Sequence, residues 1–355
     1  MFERPEIIEM IRMDSRKIQD RARKTGQFPY VPDPETGKDL FTVHSGNKWL
    51  ELEGKRPMPK MLFGEFWHQD ELCILFADTN AGKSVLAVQI GNSLSRAEPI
   101  PPFAVEAEPA NVLYIDFELT GKQFQLRYVD ACGKFDIRDF GKSFYRAEFN
   151  ANGHLPLEYK SFDDYINTAV EHYIKKTKAQ VLIIDNITCL RNGTERTGEA
   201  LPLMKHLKAL KTKYNLSILV LAHTPKRNAS RPLSVNDLQG SKMLINFADS
   251  AFAIGSNVND AGQKYLKQIK QRNTTRRYGE DNVCLCSLQK RDGFLQFEFE
   301  GYGHERQQLR PATVANREEL AQQAFDLSAQ GRTQREISAE LNVSLGVVNK
   351  LLRGK

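Results

Sequence analysis

Short, nearly unbroken apolar runs punctuate the middle of the chain: ELCILFA from Glu71, NVLYIDF from Asn111, VLIID from Val181 and LSILVLA from Leu216. Runs of this length, rich in Val, Ile and Leu, suit strands buried on both faces. Between them lie stretches with helical signatures, starting at Lys83 and Thr120 and spanning 161–177 and 198–214. Strand and helix in alternation predict a mostly parallel, twisted sheet covered by helices on both faces. After Asp249 the pattern changes to SAFAIG, YLKQIKQR, VCLCSLQ and FLQFEFEG, joined by short turns. These predict antiparallel additions to the same sheet.

The two ends read differently. The opening segment, IIEMIRMDSRKIQDRARK, carries Ile7, Ile8, Met10, Ile11, Met13 and Ile18 on one broad stripe among charges, the pattern of a helix that docks on something. A Pro-, Gly- and Asp-rich stretch, FPYVPDPETGKD, follows it. At the other end, NREELAQQAFDLSAQGRTQREISAELNVSLGVVNKLLRGK predicts three helices. The first ends near Gly331, Thr333 caps the second, a turn covers Asn342 to Ser344, and the third closes the sequence. Ile337, Leu341, Val343, Val348 and Leu351 are expected to form their shared core. The expected division is a helix and linker arm over 1–60, an α/β domain over 61–305, a link over 306–315 containing Pro311, and a small all-α domain over 316–355.

Composition narrows the picture. With 41% hydrophobic residues, and 50 basic against 44 acidic side chains over 355 residues, most of the chain has the makings of a core rather than of a disordered tail. No apolar run approaches the roughly 18 residues of a membrane-spanning helix. The start mixes Glu and Arg where a secretory signal would place an apolar block, so a cytoplasmic location without membrane contact is expected. The five cysteines (Cys73, Cys132, Cys189, Cys284, Cys286) are odd in number and mostly sit in apolar runs, which favours reduced core thiols over disulfides or a metal centre. Cys284 and Cys286, two apart in a strand-like run, should share one face.

The chemistry begins after ELCILFA. Ala77, Asp78, Thr79, Asn80, Ala81, Gly82, Lys83 and Ser84 form a phosphate-binding loop with a strand before it and an apolar helix after it, the context such a loop requires. Backbone N–H groups and the helix N-terminus can wrap phosphates, Lys83 can reach the β- and γ-phosphates of ATP, and the Ser84 hydroxyl can ligate Mg²⁺. Ala77 stands where a glycine is usual, which is acceptable if its φ is negative. Asp185, at the end of VLIID, is placed at the carboxyl edge of the sheet, where it can hold the same Mg²⁺. Glu118, just past NVLYIDF, is the candidate base for the attacking water, with Asp116 expected on its side of the strand. A surface carboxylate at a helix start is the other reading of Glu118.

With those residues in place, the sequence resembles the hexameric RecA-like replicative helicases and ATPases of the DnaB and RepA type, as they occur in plasmids and mobile elements. The resemblance is carried by ELTGKQFQLR, where Glu118, Gln123 and Arg127 stand at offsets zero, five and nine. It continues through VLIIDNITCL, MKHLKALKTKYN, SILVLAHTPKR, RPLSVNDLQGS, FADSAFAI and IKQRN, and covers the chain from about residue 71 to 301. It implies a RecA-like P-loop core, Glu118 as catalytic base and His223 as sensor of the γ-phosphate. It also implies that Lys270 and Arg272 enter a neighbouring subunit's ATP site in a ring, in all expectation a hexamer. His223 departs from the Gln of DnaB-type enzymes and looks more like the RepA branch. A hydrogen-bonded structural histidine at a strand end is the alternative, as is a pairing of Arg272 with Glu280 or Asp281.

Two loops, 191–198 and 224–238, are implied to face a central channel. The second carries Lys226, Arg227 and Arg231, which suit single-stranded DNA phosphates without base preference. Solvated surface charge is the alternative. The three-helix tail resembles a helix-turn-helix, with Asn349, Lys350 and Arg353 on or beside the helix that would read duplex DNA. Protein binding is the alternative there. Two function classes follow. One is an ATP-hydrolysing, ring-forming DNA motor in replication or mobilisation of a small replicon. The other is an ATP-switched DNA-binding regulator or loader without unwinding activity.

Overall fold

The computed structural model describes residues 41–129, 140–150, 153–159, 161–190, 197–225, 227–238, 242–310 and 314–353. The predicted opening helix, Cys132, Lys226 and residues 191–196 of the first loop lie outside the described residues. The chain divides into two units, Met1–Met58 and Pro59–Lys355. In the first, helix α1 (Gly46–Glu53) starts at Ser45, whose hydroxyl accepts from the Lys48 N–H at 3.3 Å.

The second unit opens with a small antiparallel pair, β1 (Met61–Phe63) and β2 (Trp67–His68). Strand β3 (Leu72–Ala77) then leads through the phosphate loop into α2 (Lys83–Arg96). Next come β4 (Val112–Asp116), α3 (Gly121–Arg127), β5 (Phe144–Glu148), α4 (Phe162–Thr177) and β6 (Val181–Asp185). After them follow α5 (Thr197–Tyr214), β7 (Ser217–His223), α6 (Lys242–Phe247) and β8 (Ser250–Ser256). Strands β9 (Gln263–Lys270), β10 (Val283–Arg291) and β11 (Phe294–Gly303) and the short α7 (Glu305–Gln308) complete the α/β part. The sheet order is β11-β10-β9-β8-β3-β7-β6-β4-β5. From β8 through β5 all pairings are parallel; β8 to β11 pair antiparallel. This is the α/β architecture with a mostly parallel sheet expected from the sequence, with the antiparallel additions on one side.

Alternation within β3 explains the layering. Leu72, Ile74 and Phe76 join a core with Ile166, Val170 and Ile174 of α4 and Leu203, Leu207 and Leu210 of α5. Cys73, Leu75 and Ala77 join the opposite core, with Val85, Leu86, Val88 and Ile90 of α2. Successive strand side chains point to opposite faces, so a run that is apolar throughout needs cover on both. In α4 the buried Ile166, Val170 and Ile174 recur every fourth residue, Ser161 caps the start, and Asp163 and Asp164 against Lys175 and Lys176 complement the helix dipole. Burying each such side chain contributes about 1.5–3 kcal/mol. Gly91 lets α2 approach the sheet: a Cβ there would lie 2.7 Å from the Phe144 ring and 3.0 Å from Ile183.

Strand β5 was not foreseen, because FYRAE carries two charges in five residues and is half exposed at the sheet edge. Cys73, Cys284 and Cys286 are buried as expected, the last two in one core. Cys189, by contrast, is exposed, because the chain leaves β6 in a 3₁₀ turn over Ile187–Cys189 rather than continuing inward. The tail forms α8 (Val314–Ala329), α9 (Gln334–Leu341) and α10 (Leu345–Leu352). Thr333 and Glu336 make a reciprocal capping box, Asn342 takes the left-handed conformation, and Ala324, Ile337, Leu341, Val348 and Leu351 form a core of their own.

Candidate nucleotide site

Parallel register collects the polar strand ends. Ala77 of β3 pairs with His223 of β7, and Asp116 of β4 with Asp185 of β6, so all four stand at the carboxyl edge beside the phosphate loop. Ala77 is fully buried, and its φ is not positive; the left-handed positions of the loop fall on Asn80 (φ 61°) and Gly82 (φ 95°). Ala therefore replaces glycine at its position without strain.

Lys83 folds back over the loop. Its Nζ donates to the carbonyls of Ala77 at 2.9 Å and Asp78 at 3.1 Å, and meets His223 Nδ1 at 3.2 Å. Burial pulls its pKa down, against the attraction of Asp185, Glu118 and Asp78. An ammonium has donors only, so His223 Nδ1 must accept, which leaves the ring proton on Nε2. Nε2 then donates to Glu118 Oε1 at 3.3 Å. The Asn186 amide donates to the same oxygen. His223 and Asn186 together hold Glu118 ionised, and its pKa is lowered, first by the His223 hydrogen bond. Burial acts the other way on Glu118 but is outweighed.

Asp185 is 1% exposed and accepts from the Tyr114 hydroxyl at 2.6 Å and from the Ser84 hydroxyl. Desolvation still raises its pKa to about 6, since neither hydroxyl carries a charge to offset burial. A buried carboxylate touching a serine hydroxyl is a donor set that fits Mg²⁺. The structure thus brings Lys83, Ser84, Glu118, Asp185 and His223 to one place.

Asp116 behaves otherwise than expected. It is fully buried and its oxygens are committed elsewhere: Oδ1 accepts the N–H groups of Glu118 (3.0 Å) and Leu119 (2.9 Å), and Oδ2 is bound by Arg146. Glu118 itself lies beyond the end of β4 and is free of the strand's alternation. Asn186 and Tyr114 escaped sequence reasoning. Asn186 directly follows the terminal aspartate of a buried strand, a signal that was available; Tyr114 in an apolar run gave none.

Lys270 and Arg272 lie at the opposite edge of the sheet. Lys270 Nζ donates to the carbonyls of Ile245 (2.6 Å) and Asn246 (3.1 Å). Arg272 binds Asp249 at 3.1 Å, not Glu280 or Asp281. Asp249 in turn accepts from the Leu72 N–H, at the start of β3, whereas the phosphate loop leaves its end.

In the second basic loop, Arg227 is only 11% exposed, with Nη1 3.8 Å from Asp237 Oδ1. Arg227 and Arg231 border a cavity of about 370 Å³ that Leu320 and Gln323 of α8 close. In α10, Lys350 is exposed and Asn349 half-buried; Arg353, just past its end, is exposed.

The AAA domain family matches residues 43–229, more than half of the 355 residues. The chain belongs to the AAA domain family. The match takes in the phosphate loop, Glu118, Asp185 and His223 of this AAA domain and stops before Lys270, Arg272 and the three-helix tail. Among solved structures, a KaiC-like protein of the hyperthermophilic archaeon Pyrococcus horikoshii is similar at 13% identity, with a TM-score of 0.42, over 65% of this chain and 90% of that one. No curated protein matches the AAA domain chain. No helix among the described residues is long and apolar enough to cross a membrane.

Proposed function

We propose that this P-loop ATPase is a ring-forming, DNA-binding motor of the helicase type its sequence resembles, acting in the cytoplasm in replication or mobilisation of a small replicon or mobile element. The observation that carries ATP hydrolysis is the chain of contacts from Lys83 through His223 to Glu118, with Asn186 on the same carboxylate. Both neighbours engage Oε1, so Oε2 is the oxygen left to take a proton from the attacking water. A base whose pKa is lowered is fully ionised at neutral pH, the state the step needs. Lys83 exchanges its loop carbonyls for phosphate oxygens when ATP binds, which frees His223 Nδ1 to report on the γ-phosphate. Ser84 and Asp185 would hold Mg²⁺, which when bound neutralises charge on the phosphates.

Lys270 and Arg272 support a ring, because at the far edge of the sheet they can serve an ATP site only in a neighbouring protomer. A hexamer is the closed assembly proposed. Arg227, Arg231 and Lys226 are assigned to single-stranded DNA. The decisive experiment combines DNA-stimulated ATP turnover with displacement of a strand from forked DNA. Lys83→Ala should lose nucleotide binding and turnover, whereas Glu118→Gln should bind ATP and keep only a small residual turnover. Sedimentation with ATP tests the ring.

The tail favours a second reading, an ATP-switched regulator or loader that does not unwind. Its three helices carry their own core, and Lys350 and Arg353 are exposed at the last of them. ATP turnover without strand displacement, together with selection of one duplex sequence that is lost on deleting 312–355, would decide for it.

A further inference from the structure

We propose that Arg146 is a positioning residue for hydrolysis, clamping the turn that presents Glu118. The inference rests on the reading of Glu118 as the base. Arg146 sits on β5, one strand beyond the site, and its side chain is 14% exposed. From there it makes four kinds of contact. Nε donates to Asp116 Oδ2 at 3.0 Å and Nη2 lies 2.9 Å from the same oxygen. Nη1 donates to Glu148 at 2.8 Å, and Nη2 to the Leu119 carbonyl. The guanidinium also lies 4.7 Å above the Phe124 ring of α3.

Each contact bears on the same few residues. Asp116 is fully buried and uses its other oxygen to hold the N–H groups of Glu118 and Leu119. Arg146 holds the carbonyl of Leu119 on the far side of that turn. The chain from Phe117 to Thr120 is thereby gripped at its amides by Asp116 and at a carbonyl by Arg146, while Phe117 N–H is tied to the Asp185 carbonyl at 2.9 Å. The side chain of Glu118 is 39% exposed, so its place against His223 and Asn186 depends on where this backbone stands. A buried carboxylate without its cation is costly, so the position of Asp116 depends on its guanidinium partner. Arg146 therefore both pairs with the buried Asp116 and supplies the forked, planar donor set that one carboxylate, one carbonyl and a second carboxylate require together. A lysine could neutralise Asp116 but could not span all three.

The test is steady-state ATP turnover of Arg146→Lys, alone and combined with Glu118→Gln, with thermal melting and binding of a fluorescent ATP analogue measured alongside. Misplacing a catalytic group by about 1 Å costs about 100-fold. Arg146→Lys is therefore expected to lower kcat by about 10- to 100-fold, with KM for ATP and analogue affinity unchanged. In the Glu118→Gln background the same change should cost nothing more. Wild-type kcat in a folded Arg146→Lys protein overturns the proposal, as does a further proportional loss in the Glu118→Gln background, which would mean that Arg146 acts by another route. Wild-type turnover by Glu118→Gln alone removes the underlying reading of Glu118 instead, and with it the role of Arg146. If Arg146→Lys does not fold, Glu148→Gln removes one anchor from an exposed position. It must show the same loss confined to kcat in smaller measure, and an unchanged kcat overturns the proposal.

Discussion

Lys83 Nζ and His223 Nδ1 meet at 3.2 Å across 140 residues of sequence, and the opposite nitrogen of the same imidazole faces Glu118. One ring thus joins the group that grips phosphate to the group that activates water. Loss of the ring should free Glu118 from the donor that does most to depress its pKa.

His223→Ala is accordingly expected to shift the acid limb of the kcat–pH profile. Glu118 works as a base only when ionised, so activity is lost as pH falls through its pKa. Removing a donor to the carboxylate raises that pKa, so the limb moves to higher pH. His223→Gln, which keeps an N–H donor, should move it less. A limb that stays in place in His223→Ala would show that His223 does not tune Glu118.

For the basic loop, Arg227 is drawn in beside Asp237 rather than presented to solvent. Asp237→Asn should release it and strengthen binding of single-stranded DNA. The Arg227→Ala, Arg231→Ala pair should weaken binding and flatten its salt dependence by up to about two phosphate contacts. Fluorescence anisotropy over a salt series measures both. Unchanged slopes would take the loop out of the DNA path.

The sequence made the parallel strands legible because strands covered on both faces are continuous apolar runs, and β3, β6 and β7 contain little else. It made Lys83, Ser84, Asp185 and His223 legible because each stands at the end of such a run or in the loop that follows it. Edge strand β5 stayed hidden, since a strand with one side open can carry Arg146 and Glu148 and so lacks any hydrophobic signature. Asp116 was misread for a related reason: at the last position of β4 its two oxygens serve backbone amides and a guanidinium from β5, and a partner on an unseen strand cannot be inferred. Asn186 was within reach, but its use depends on how the chain turns after Asp185. The tail's core was visible from spacing alone because capping at Thr333 and Ser344 fixes where each helix begins.

Packing of α4 against α5 gives a prediction on stability. Glu171 accepts from the Tyr214 hydroxyl and pairs with Lys213 at 3.0 Å and Lys175 at 3.2 Å. The Tyr214 hydrogen bond, followed by those of the two lysines, lowers its pKa to about 2 from 4.5. The folded pKa lies below the unfolded one, so the contribution to stability is complete above about pH 4.5 and lost as pH falls toward 2. Glu171→Gln should destabilise by about 1 kcal/mol at pH 7, a surface-pair magnitude, since the lysines are largely exposed. The gap between wild type and variant in urea unfolding should narrow from pH 5 to pH 3. A gap independent of pH would assign the effect to something other than the ionised carboxylate.

The geometry of Arg272 leads to a test of assembly. Its guanidinium is 49% exposed and held by Asp249 at 3.1 Å and the Asn246 carbonyl at 3.0 Å, at the edge of the sheet away from its own phosphate loop. A role in hydrolysis must therefore be exercised in a neighbour's site, where a cation at the γ-phosphate is worth about three to five orders of magnitude in rate. The competing role is structural, a tether between the end of α6 and the strands beside it. Arg272→Ala distinguishes the two. A tether predicts a lowered melting temperature with proportionate loss of activity, whereas a group acting in trans predicts nearly dead protein of ordinary stability. Mixing provides the sharper result. Arg272→Ala protomers keep Lys83 and Glu118, and Lys83→Ala protomers keep Arg272, so mixed assemblies contain some interfaces with every group present. ATP turnover should reappear when the two inactive proteins are combined under conditions that allow exchange. If light scattering confirms co-assembly and turnover is still only the sum of the two residual activities, Arg272 does not act across an interface, and the ring mechanism loses its main support.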